Sequence, residues 1–138
     1  MNLDIILCEG GNVTSSGTTG PAKTIYRSPK NLAACIEVAN QAQDITQSSK
    51  ILTVTRMTHA GGLLLQTLPA HSIKADYTIT KFNPYGFIKQ LKEHSHTFLT
   101  PSMIESLVKT KDFRTADFTD KFVSMGSDRI PAIHVNWF

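Results

Sequence analysis

A short polar residue followed by proline recurs three times in this chain, as Ser28-Pro29, Asn83-Pro84 and Thr100-Pro101. Each pair reads as a helix start. The polar side chain can accept from an early backbone N–H, and proline lacks the N–H that the first helical turn leaves unpaired. Leu32, Cys35, Ile36 and Ala39 follow the first pair at helical spacing. Phe87, Ile88 and Leu91 follow the second, and Met103, Ile104, Leu107 and Val108 the third. Between these helices lie short runs that read as strands: Thr24–Tyr26, Ile51–Thr55, Tyr77–Thr80, His96–Thr100 and Lys121–Met125. Leu3–Cys8 reads as a further strand, Leu63–Leu68 as a buried helix, and Ile130–Phe138 as a last helical run capped by Ser127-Asp128. Strand and helix in alternation predict an α/β fold: a mostly parallel sheet with helices on both faces. In such sheets ligands sit at the carboxyl ends of the strands.

At 138 residues the chain is expected to form one domain over 1–138. Its net charge of +3 suits an anionic small ligand, and its basic residues form no stripe, so nucleic acid is not the expected partner. No apolar run approaches the length needed to span a bilayer, so no membrane partner is expected. Met1-Asn2-Leu3-Asp4 is not the basic start of a signal peptide. With Cys8 and Cys35 as the only cysteines, both in apolar runs, buried free thiols in a reducing, cytoplasmic setting are expected. No zinc-ligand spacing is present, and no metal site is expected. His94 and His96 read as solvated, as does the mixed polar stretch holding Lys109, Lys111, Asp112, Arg114, Asp117 and Asp120. The aromatic Trp137-Phe138 end, without a glycine stop, reads either as the start of a continuation or as a tail folded back on its own core.

The chemistry-bearing stretch is Ser15-Ser16-Gly17-Thr18-Thr19-Gly20-Pro21-Ala22-Lys23. Its glycines let backbone N–H groups converge on a ligand, its hydroxyls add donors, and Lys23 adds a mobile charge suited to phosphate. It is not a Walker A loop, because Pro21 and Ala22 separate Gly20 from Lys23. Composition alone leaves two readings open, a phosphate-binding loop and a Ser/Gly linker.

The stretch closely resembles the signature loop of the adenylate-forming superfamily: acyl- and aryl-CoA synthetases, luciferases and nonribosomal-peptide adenylation domains. Here proline comes one position early, and Thr24 stands where the family has a glycine. Met57-Thr58-His59-Ala60-Gly61-Gly62 is similar to the family's His-x-x-Gly segment, Thr97–Ser102 to its Thr-Pro step, and Val123–Ser127 to its Gly-rich strand end. The resemblance implies ATP phosphate binding by Ser15, Ser16, Gly17, Thr18, Thr19, Gly20 and Lys23. It implies an acyl-substrate wall at His59, Gly61 and Gly62. It also implies ATP, Mg²⁺ and CoA as cofactors, and a carboxylic acid as substrate. The family's Tyr-Gly-x-Thr-Glu segment is not matched by Tyr85-Gly86-Phe87-Ile88-Lys89. Its ribose-binding aspartate, hinge and C-terminal domain with the catalytic lysine have no counterpart either. No catalytic residue is therefore assigned. The expectation is part of an AMP-binding large domain, with little or no turnover alone, whose partner is the rest of a split enzyme or another copy. A non-catalytic nucleotide-binding remnant or a structural subunit of a split enzyme is the alternative.

Overall fold

The computed structural model describes residues 1–14, 21, 23–126 and 130–138. A short helix α1 (Leu3–Glu9) leads into an antiparallel hairpin, β1 (Gly11–Thr14) and β2 (Thr24–Arg27). Then follow α2 (Pro29–Gln43), β3 (Lys50–Thr53) and a helical stretch made of α3 (Ala60–Gly62), a π-helical turn (Leu63–Thr67) and α4 (Leu68–Ser72). The chain continues through β4 (Asp76–Ile79), α5 (Phe87–Lys92), β5 (His96–Leu99), α6 (Pro101–Leu107), α7 (Lys111–Arg114), β6 (Phe122–Met125) and α8 (Ala132–Asn136). Four strands form one sheet in the order β4-β3-β5-β6, every pair parallel.

Alternation along each strand sends neighbouring side chains to opposite faces, and helices cover both. On one face Leu52 and Leu99 pack with Phe87, Ile88 and Leu91 of α5 and with Ile104 and Leu107 of α6. On the other, Ile51 packs with Ile45, Ala70 and Ala75, and Thr53 shares a 2.9 Å hydrogen bond with Thr67. A further cluster joins Leu3 of α1, Val13 of β1, Leu32 and Ile36 of α2, and Leu63, Leu64 and Leu68. The hairpin is thereby fixed to the same layer as α2 and α4.

Ser28 and Thr100 cap α2 and α6 as their sequence signals predict, accepting from Asn31 N (3.2 Å) and Met103 N (3.4 Å). Asn83 does not cap α5. Its side chain accepts from Tyr85 N at 3.0 Å and closes a turn, and the helix begins only at Phe87. Leu3–Cys8 is helix, not strand, because Asn2 accepts from both Asp4 N (3.0 Å) and Ile5 N (3.2 Å). Gly10, at φ +87°, then turns the chain into β1 where a Cβ would lie 2.5 Å from Arg27 O. Cys8 is exposed and Cys35 half-buried, so neither is a core thiol. His96 is buried rather than solvated, and His94 is half-buried with hydrogen bonds to Gln90 O (2.6 Å) and Thr78 (3.0 Å). Pro131 rather than a polar side chain precedes α8, while Ser127 and Asp128 lie outside the described residues. Phe138 folds back onto Phe113 and Phe118, with ring centroids 5.3 and 4.9 Å away. The polar stretch near α7 is a solvated connection in which Asp117 accepts from the Thr119 hydroxyl and from its backbone N–H. Those bonds hold the Asp117 carboxyl below the usual carboxylate range. No described helix is long and apolar enough to cross a membrane.

Candidate functional site

The hairpin that carries the Ser/Thr/Gly stretch is closed at its base by the register pair Thr14 and Thr24. Of the phosphate-loop residues, Lys23 is described and exposed, one residue before β2. Ser15, Ser16, Gly17, Thr18, Thr19 and Gly20 lie outside the described residues. Thr14 N donates to Thr58 O at 2.8 Å, its hydroxyl donates to the same carbonyl at 3.2 Å, and Thr14 bridges His59 in parallel. The base of the loop is therefore tied to the Met57–Gly62 segment, 44 residues further along the chain.

His59 sits where the chain leaves β3 and turns into α3. Its Nδ1 accepts from Gly61 N at 3.0 Å. In the neutral ring that bond places the proton on Nε2, and Nε2 has no protein partner among the described residues. Gly61 and Gly62 are buried. A Cβ on Gly61 would lie 2.6 Å from the ring of Phe98, and one on Gly62 would lie 2.4 Å from Arg56 O. A Cβ on Gly126 would lie 3.0 Å from the far side of the same Phe98 ring. Phe98 thus sits where the His-Gly-Gly turn and the glycine after β6 meet, in the middle of the segment that ends in the Thr-Pro step. The described parts of three of the resembling segments, 57–62, 97–102 and 123–126, meet at the carboxyl ends of β3, β5 and β6, where a parallel sheet offers its crevice.

Phe98 and Thr58 were not readable as site residues. Phe98 looks like any strand aromatic, and Thr58 acts through its carbonyl, which every residue type has. Thr55 is a third such residue. It is buried beside Gly62, and its hydroxyl has no hydrogen-bond partner among the described residues, an arrangement with a cost unless something pairs it. Below the site, Gln43 at the end of α2 ties the layers together. It donates to Leu65 O (2.7 Å) and accepts from Gln66 (2.6 Å) and Ser124 (3.1 Å), while its carbonyl accepts from His96 (2.6 Å). Among the described residues no group of three or more His, Cys, Asp or Glu side chains could hold a metal ion.

No protein-family model matches the chain. Its sequence is 27% identical over 121 residues to indoleacetate–CoA ligase of Aromatoleum aromaticum, a match covering 85% of this chain and 24% of that protein. A malonyl-CoA ligase solved with methylmalonyl-CoA and AMP superposes with a TM-score of 0.75 at 22% identity, over 91% of this chain and 29% of that one. ATP-bound MatB from Rhodopseudomonas palustris superposes with a TM-score of 0.65 at 19% identity, over 74% of this chain and 20% of that one. The chain spans about a quarter of the length of the curated relative it matches. In sequence and in fold the chain is similar to acyl-CoA synthetases of the adenylate-forming superfamily, over part of their length.

Proposed function

We propose that this chain serves in the ATP-dependent activation of a carboxylic acid, as the part of an acid–thiol ligase that grips the nucleotide's phosphates and forms one wall of the acyl site. The observation that supports this most is the 2.8 Å tie from Thr14 N to Thr58 O, which brings the loop-bearing hairpin to the His59 segment. In this reading Ser15, Ser16, Gly17, Thr18, Thr19 and Gly20 surround the phosphates with amides and hydroxyls, and Lys23 offsets their charge. Donors fixed around the phosphates are worth most where charge develops as the acid's carboxylate displaces pyrophosphate to give an acyl-adenylate. His59 presents its protonated Nε2 toward the acid. Gly61 and Gly62 contribute by letting α3 approach Phe98 and the end of β3 closely, which sets where His59 stands. Mg²⁺ and CoA follow from the resemblance alone. The described residues offer no group of His, Cys, Asp and Glu side chains that could hold the ion. The proposed setting is the cytoplasm.

Ligand binding to the folded chain raises its melting temperature by mass action. At a hundred times Kd, ATP adds about 2.7 kcal/mol, several degrees for a domain of this size. Lys23→Ala is expected to weaken ATP about tenfold or more, since hydrogen bonds to charged groups contribute about 1.5–3 kcal/mol. Titrating ATP into both proteins by thermal shift checks this. Equal affinity in the two would remove Lys23 from the phosphate site.

A further inference from the structure

Away from that site, Asp4, His71 and Tyr77 form a hydrogen-bonded chain across α1, α4 and β4. The Tyr77 hydroxyl lies 3.0 Å from His71 Nδ1, and His71 Nε2 lies 2.7 Å from Asp4 Oδ1. With the His71 ring neutral, the directions of both bonds follow from the donors and acceptors present. An ionised carboxylate only accepts, so Nε2 carries a proton. The neutral ring then presents a bare Nδ1, to which the phenol donates. A hydroxyl donating to an imidazole that is itself oriented by a carboxylate is the nucleophile–base–orienter arrangement of activated side chains. The three residues line an open cavity of about 660 Å³ whose other walls include Leu3, Met57 and Ile79, so an apolar group entering it meets the Tyr77 side chain. That oxygen spends its proton on His71 and keeps its lone pairs.

We propose that Tyr77 is a reactive phenol: a modification site that takes acyl groups from activated-acyl electrophiles such as acyl-imidazoles and acyl-phosphate mixed anhydrides. His71 acts as its general base, and Asp4 is the positioning residue. The phenolic oxygen attacks the acyl carbonyl and forms an aryl ester. The bond from that carbonyl to the imidazole nitrogen or phosphate oxygen breaks, and the leaving group departs with the electron pair. The phenolic proton passes to His71 Nδ1, and the imidazolium so formed is stabilised by Asp4. Nothing is oxidised or reduced. The step does not depend on the nucleotide reading above.

The chain supplies its own controls, because it has three tyrosines. Tyr85 is 78% exposed, and Tyr26 is 60% exposed with its hydroxyl donating to Glu9 O at 2.8 Å. The full chain is treated with limiting N-acetylimidazole, and O-acetylation at each tyrosine is followed by peptide mass spectrometry, with hydroxylamine reversal confirming the ester. Exposure alone ranks Tyr85 first. General-base assistance is worth about 10²–10⁴-fold in a closed enzyme site, and in this open cavity the expectation is acetylation of Tyr77 about tenfold faster than Tyr85. His71→Gln should abolish that lead, and Asp4→Asn should cut it several-fold while Tyr85 is unaffected. Acetylation of Tyr77 no faster than that of Tyr85 in the unaltered chain overturns the proposal. If His71→Gln does not fold, the Asp4→Asn protein decides, since Asp4 is 81% exposed: an unchanged ratio also overturns it.

Discussion

Gly61 and Gly62 sit on one turn but meet different obstacles, and the difference is testable. At Gly61 the obstruction is the buried ring of Phe98, and at Gly62 it is the backbone carbonyl of Arg56. Overfilling a packed site costs about 1–3 kcal/mol. Gly61→Ala is therefore expected to lose about that much in urea denaturation, and Gly62→Ala at least as much. Trimming the obstacle separates them, because residues in contact do not add independently. Phe98→Leu should restore part of the stability lost in Gly61→Ala and none of that lost in Gly62→Ala. Equal rescue of both would show that the strain lies elsewhere. The family resemblance gives these glycines, with His59 beside them, as an acyl-substrate wall. The packing partners were invisible because Phe98 and Arg56 become neighbours only when β5 and the end of β3 are laid side by side. The capping role of His59 was equally hidden, since histidine is not among the usual cap residues.

Elements with strong local signals were legible: α2 and α6 from a polar cap plus proline, and the parallel strands from β-branched runs between helices. Those that were not legible lacked such signals or carried two. Asn2 caps α1, yet Ile5-Ile6 argues for a strand; Asn83-Pro84 makes a turn, yet reads as a helix start. The helical stretch after His59 was legible as buried helix, but its π turn was not. Pro69 explains part of that turn's surroundings. Proline has no N–H to give the carbonyl four residues back, which is Leu65 O. Gln43 supplies the missing donor at 2.7 Å while accepting from Gln66 and Ser124. Gln43→Leu keeps the bulk but leaves Leu65 O only its 3.3 Å bond from Gln66, and takes the acceptor away from Gln66 and from the Ser124 hydroxyl. Each buried group left unpaired costs about 1–3 kcal/mol. The expected loss is about 1–3 kcal/mol, read as a lower urea midpoint. Ser124→Ala removes one half-buried donor and should cost no more than about 1 kcal/mol. A Gln43→Leu protein as stable as Ser124→Ala would mean that the layers are held by apolar packing alone.

At the scale of the whole molecule the question is what a chain spanning about a quarter of its curated relative's length can do. The parallel sheet, its helices and the hairpin together gather the loop base, His59, Phe98 and Gly126 at one end of the strands. The clusters under that gathering are built from the chain's own side chains. Binding and turnover make different demands. Gripping phosphates needs the loop and Lys23, whereas adenylation also needs groups that hold the ribose, the leaving pyrophosphate and the acid's carboxylate at once. Losing such positioning removes much of the ~7–11 kcal/mol that held geometry can contribute to a barrier. The isolated chain is therefore expected to gain thermal stability with ATP yet to catalyse no ATP–pyrophosphate exchange above background with any acid in a panel. Adding the downstream segments of an acid–CoA ligase as a separate polypeptide should bring exchange up only with Lys23 intact. Robust exchange by the chain alone would show that the adenylation site is complete within these residues. A missing thermal shift would instead mean that the loop grips nothing without its partner segments.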